Sequence, residues 1–128
     1  MAAEPFTLAA SLTLPPDTGQ PNETLSCSFT GTFANATQQK LNLSTLIPHA
    51  VNFGTLGASA KTVWIEFEQP AIVGSLLTVS INGGAGIVLA PGGFLVLTNP
   101  ITANNPGNVA SLSLTSNAAT TVRVVLLS

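Results

Sequence analysis

At 128 residues the chain has the length of one domain, enough for a single core without a metal or disulfide staple. Charged residues make up 6% of it, against roughly 25% in an ordinary soluble domain. With three cations, a net charge of −2 and no basic amphipathic segment, it cannot neutralise a run of phosphates or grip an anionic membrane, so neither nucleic acid nor membrane is expected as a partner.

The apolar runs are interrupted by Gly, Pro, Thr or Asn well short of the ~20 residues that a spanning helix needs. With no Tyr and one Trp, the chain also lacks the aromatic girdles of a membrane barrel. The opening "MAAEPFTLAASLTLPP" has no positive n-region, so no export is expected.

Alternation at period two governs the chain from there on. "FTLAASLTL" puts Phe6, Leu8, Ala10, Leu12 and Leu14 on one face and Thr7, Ala9, Ser11 and Thr13 on the other. The loop "PPDTGQPNE" follows, with two Pro-headed turns. Its oxygens from Asp17 to Glu23 lack the dense Asp/Asn/Gly spacing of a calcium loop, so no metal is expected there.

"TLSCSFTGTF" then sets Leu25, Cys27, Phe29, Gly31 and Phe33 against Ser and Thr. Cys27 is the single cysteine, so no internal disulfide forms. Its parity with Leu25 and Phe29 predicts a small buried hydrophobe, since no neighbouring cation activates the thiol. "ANATQQKL" is the one candidate for a helical turn. Sequons at Asn22, Asn35 and Asn42 are no more than chance supplies in a chain this rich in Asn, Ser and Thr.

"KLNLSTLI" alternates again, and "LIPHAVNF" after it holds the sole histidine. No Ser, Cys or Asp motif accompanies His49 as a nucleophile or orienting group, and one His with one Cys is too few for a metal. It reads as a turn or loop residue. "KTVWIEFE" sets Val63, Ile65 and Phe67 against Trp64, Glu66 and Glu68.

The two glutamates point to one face at a spacing that overlaps what glycosidases use. Without an aromatic cluster beyond Trp64 they read instead as a solvated edge pair that discourages strand pairing. Trp64 is expected to be half-buried, with a sugar-stacking platform or an interface anchor as alternatives.

"SLLTVSI", "GIVLA", "GFLVLT", "ASLSLTS" and "TTVRVVLL" complete about eight or nine strands at sandwich spacing. Between them, "NGGAG" lacks the following lysine of a Walker loop and the third glycine of a dinucleotide fingerprint. It is a tight turn, with Asn82-Gly83 supplying positive φ. "APGG" is a second turn, with Pro91 fixing φ.

The expected fold is all-β: a single antiparallel sandwich over residues 1–128, jelly-roll or Ig-like. In "GIVLA", "GFLVLT" and "VRVVLL" both faces are apolar, so one face belongs to the core and the other needs a cover. With so little charge, a second subunit is the expected cover. Trp64, Val88, Val96, Arg123, Val125 and Leu127 are the expected interface residues, in a symmetric homo-oligomer with a trimer as the expected number.

The stretch from Thr62 to Ser128, with Ile81-Asn82-Gly83-Gly84 closing one strand, Leu89-Ala90-Pro91-Gly92-Gly93 turning into another and a last strand after it, resembles the small all-β structural proteins of tailed-bacteriophage virions. The resemblance implies a capsid decoration, or cement, protein. Such a protein acts by binding, without catalysis or cofactor, its partner being the major capsid protein or another virion protein. It implies location in the virion after assembly in a host cytoplasm, which the free cysteine and missing export signal fit. A carbohydrate-binding or host-attachment sandwich is the alternative, with Trp64, Glu66 and Asn82 as contacts.

Overall fold

The structure, a computed structural model, describes residues 2–16, 23–57, 59–68, 74–98 and 108–128. It is all-β, with ten strands among the described residues where the pattern predicts eight or nine. The chain divides into two compact units, Met1–Ala34 and Asn35–Ser128.

The first unit is a hairpin of β1 (Glu4–Leu14) and β2 (Glu23–Phe33). Its register sets Leu8 opposite Phe29, Ala10 opposite Cys27 and Leu12 opposite Leu25. The two apolar parities therefore share one face, and Ser and Thr occupy most of the other. Phe6 faces Gly31, and its ring lies 5.8 Å from that of Phe29 and 6.1 Å from that of Phe33. A Cβ at Gly31 would stand 2.9 Å from both Phe6 and Phe29, so the glycine is the bed on which the phenyl rings lie.

Alternation is right about the face here and wrong about burial. Leu12 is 55% and Leu25 50% exposed. Cys27 is exposed as well, a correction to the buried hydrophobe that its parity predicts. A two-stranded sheet has no second layer to close over it.

Among the described residues the second unit carries eight strands: β3 (Ala36–Leu43), β4 (His49–Ala50), β5 (Thr62–Phe67), β6 (Leu77–Ile81), β7 (Ile87–Leu89), β8 (Phe94–Thr98), β9 (Leu112–Ser116) and β10 (Thr120–Leu127). They form two antiparallel four-stranded sheets, β3-β10-β5-β8 and β4-β9-β6-β7. Counted within the unit, one sheet takes strands one, eight, three and six and the other takes two, seven, four and five. That is the strand order of a jelly roll.

Its core draws on both sheets. Val63, Ile65, Val122, Val124 and Leu126 from one and Leu77, Val79 and Leu114 from the other are wholly inaccessible.

Two readings of local structure need correction. "ANATQQKL" is extended, as β3, because pairing with β10 along eight residues outweighs any local helical tendency. His49 stands on the short strand β4, opposite Leu114, rather than in a turn. The Asp17–Glu23 stretch lies mostly outside the described residues.

Both glycine-rich turns form as expected. Asn82 and Gly83 take φ of 52° and 72°, and Gly84 N–H donates to Ile81 O at 2.9 Å, which joins β6 to β7. Asn82 is also a tie. Its Oδ1 accepts from Ala110 N and Ser111 N at 2.7 and 3.1 Å, and its Nδ2 donates to Asn108 O at 3.1 Å. At the second turn Pro91 precedes Gly92, whose φ is 80°, and the chain crosses from one sheet to the other.

Candidate functional site

The outward face of the β3-β10-β5-β8 sheet gathers five of the six expected interface residues. Register places them in rows. Trp64 of β5 has Val125 of β10 on one side and Val96 of β8 on the other. One row along, Glu66 lies between Arg123 and Phe94. On the other side of the Trp64 row, Leu127 faces Thr62. Val88 is set apart: it lies on β7, at the edge of the other sheet, opposite Thr78 and 57% exposed.

Phe94 joins the group, although the sequence reading does not single it out. Its ring stacks on that of Trp64, with centroids 6.2 Å apart and planes 14° from parallel, and it is 60% exposed. The alternation of β8 already puts Phe94 on the face of Val96. The pairing of β5 with β8, which brings it beside Trp64, spans a connection that contains β6 and β7, and the pattern does not record which strands pair across it.

Trp64 is half-buried, as expected, and its Nε1–H donates to Glu66 Oε1 at 2.9 Å. With Phe67, Gly92 and Gly93 these side chains line a cleft of about 250 Å³.

The electrostatics of this face corrects the reading of the glutamate pair. Lys40 and Arg123 stand directly opposite each other on β3 and β10. Like charges at such positions repel. Glu66 lies 3.8 Å from Arg123 and Glu68 3.6 Å from Lys40, so each cation has an acid. Since β5 is an interior strand, Glu66 guards no edge; it and Glu68, just past the strand's end, neutralise the cations beside them.

Asn82, the third residue of a carbohydrate site, spends its amide on the three backbone bonds described above and lies on β6's turn, in the other sheet's connection. No cluster of three or more His, Cys, Asp or Glu side chains placed to hold a metal occurs among the described residues. No helix there is long and apolar enough to cross a membrane.

Comparison of the chain with family models, with curated proteins and with solved structures gives no match in any of the three.

Proposed function

We propose that the protein is a non-enzymatic virion structural component, a bacteriophage capsid decoration protein that acts as a homo-oligomer, with a trimer the expected number. The observation that carries this reading is the pairing of folded sheets with bare apolar faces: the hairpin's leucines, Val88 and Phe94 are exposed on a chain that is 6% charged. Surfaces of this kind are built to be covered. The jelly roll is an architecture that viral capsid proteins use, which supports the reading as analogy and no further.

The mechanism is mass action. A decoration protein that bridges neighbouring subunits of the assembled shell, and binds free subunits less well, stabilises the shell by its differential affinity. Such binding rests on neutral surface and few charges, so it should tolerate added salt.

A second reading has its own observation. The stacked Trp64–Phe94 pair beside the Glu66 carboxylate is a suitable platform for a sugar ring, and lectins also use the jelly roll.

One experiment separates the two. Purified protein is mixed with undecorated phage heads and, in parallel, with a glycan array. Saturable, salt-tolerant uptake by heads at a fixed ratio, with no glycan signal, supports decoration. Glycan binding that Trp64→Ala abolishes, without uptake by heads, replaces it with attachment.

A further inference from the structure

The turn between β6 and β7 carries a chemically reactive pair of residues. Asn82-Gly83 is the single Asn-Gly step in the chain, and residues 82–86 are exposed. The side-chain amide of an asparagine is open to attack by the backbone nitrogen that follows it. Glycine, having no Cβ, puts least in the way of that attack.

The reaction balances with water as its one co-reactant. The Gly83 nitrogen gives its proton to water and bonds to Asn82 Cγ. The bond from Cγ to Nδ2 breaks, and ammonia leaves behind a succinimide ring. Water then opens the ring. Attack at Cγ breaks the new bond to the Gly83 nitrogen and leaves aspartate. Attack at the main-chain carbonyl breaks the original peptide bond instead, and the chain then runs through Cγ as isoaspartate.

The closed turn opposes this chemistry in two ways. A φ of 52° places Asn82 in the left-handed region, where ψ is about +30 to +60°. At such ψ the Cβ lies nearly anti to the Gly83 nitrogen, whereas ring closure needs the two eclipsed. The side chain is also tethered. Oδ1 accepts from Ala110 N–H and Ser111 N–H at 2.7 and 3.1 Å, and Nδ2 donates to Asn108 O at 3.1 Å. Two donors on one carbonyl oxygen polarise Cγ, yet the nucleophile stands on its far side. Cyclisation therefore requires the turn to open.

Opening is local. β7 is an edge strand of three residues, paired with β6 at three positions. Short elements of this kind open at a fraction of the cost of global unfolding. The product does not close again. Isoaspartate inserts a carbon into the main chain of a two-residue turn and shifts Ile87 out of register with Val79. Aspartate keeps its two acceptor bonds but sets a carboxylate against Asn108 O, where Nδ2 had donated.

We propose that Asn82-Gly83 is a fold-gated self-modification site. The closed turn preserves the amide, and opening of the β6–β7 hairpin exposes it to a one-way conversion that unfastens β7. The gate is independent of what the protein binds.

The test ages the full-length protein at mildly alkaline pH, where the attacking nitrogen loses its proton more readily, beside a sample unfolded in urea. Each conversion adds one negative charge to a chain of net charge −2, so anion exchange separates the products and peptide mapping places them. Conversion at Asn82 should be at least about tenfold slower in the folded sample. There it should keep pace with hydrogen exchange of Gly84 N–H, which closes the turn on Ile81 O.

Leu89→Ala, which loosens β7 from the core without touching the turn, should speed it. Asn117 is tethered similarly, through Leu76 N–H and Gly74 O, but is followed by alanine and should stay an amide. Purified isoaspartate protein should lose exchange protection at Gly84 and keep it in β5 and β10.

Equal rates in the folded and unfolded samples, or no conversion at Asn82 in urea, overturns the proposal. Faster conversion in the folded sample would make the paired N–H groups an oxyanion hole and overturns the gate. Conversion that Leu89→Ala leaves unchanged places the opening elsewhere and overturns its local origin. A converted protein whose Gly84 stays protected overturns the one-way step.

Discussion

The hairpin and the jelly roll are written in the same alternating code and end in opposite states. In β10, Val122, Val124 and Leu126 are wholly inaccessible; in β1 and β2, Leu12, Leu14 and Leu25 alternate just as regularly and remain exposed. The difference is the second layer. A sheet buries a face only against another element, and the jelly roll supplies its own partner sheet whereas the ribbon does not. Alternation therefore states which side chains belong together, and the number of layers decides whether they leave water.

The largest expected effect sets one phenylalanine of each unit against the other. Phe67, 1% exposed in the jelly-roll core, should lose about 3–5 kcal/mol of stability on substitution by Ala. Phe29→Ala, on the half-exposed face of the hairpin, should cost the fold less than about 1.5 kcal/mol and act on association instead. Urea denaturation followed by tryptophan fluorescence, run at two protein concentrations, reads both. Equal losses that do not depend on concentration would break the comparison.

This contrast also marks how far the sequence is legible. The strand pattern, the Asn82-Gly83 and Pro91-Gly92 turns and the shared parity of Arg123, Val125 and Leu127 within β10 follow from period-two alternation and local turn chemistry, because both act over a few residues; that Trp64 joins them follows only from the pairing of β5 with β10. The exposure of Cys27 does not follow, since burial is a property of whatever packs across the sheet. Phe94 was hidden for a related reason: β5 and β8 pair across a connection that includes a further hairpin, and alternation carries no record of strand order. The role of Glu66 and Glu68 required knowing that Lys40 would arrive on one side and Arg123 be flanked on the other.

A second prediction sharpens the view that the jelly roll is also held at its turns. Asn82→Ala removes three side-chain bonds to backbone and places alanine at positive φ, and should cost about 2 kcal/mol. Asn82→Gly loses the same bonds without the strain and should cost less. If the two substitutions melt alike, the conformation contributes nothing to the choice of Asn.

The smallest effect belongs to the charged row. Glu66→Gln leaves Arg123 facing Lys40 without its acid, yet these side chains are more than a third exposed and the ion pair is long. The loss should stay below about 1 kcal/mol and shrink further in high salt. A larger, salt-resistant loss would move the weight to the bond from Trp64 Nε1 and make the aromatic stack a structural element rather than an available surface.

The position of β10 bears on how the jelly roll comes into being during synthesis. It lies between β3 and β5, and Thr121 bonds to Asn42 across 79 residues of chain. A ribosome adding about 5–20 residues per second needs about 4–16 seconds to cover that span. Throughout that interval β3, and for its later part β5 as well, is made but has no central strand to pair with, and the open edges can meet any other nascent chain. On one messenger, neighbouring ribosomes carry identical edges at high local concentration. Closure of this sheet is thus a late event on the ribosome, and the cell's holdases have a defined window in which to keep sister chains apart.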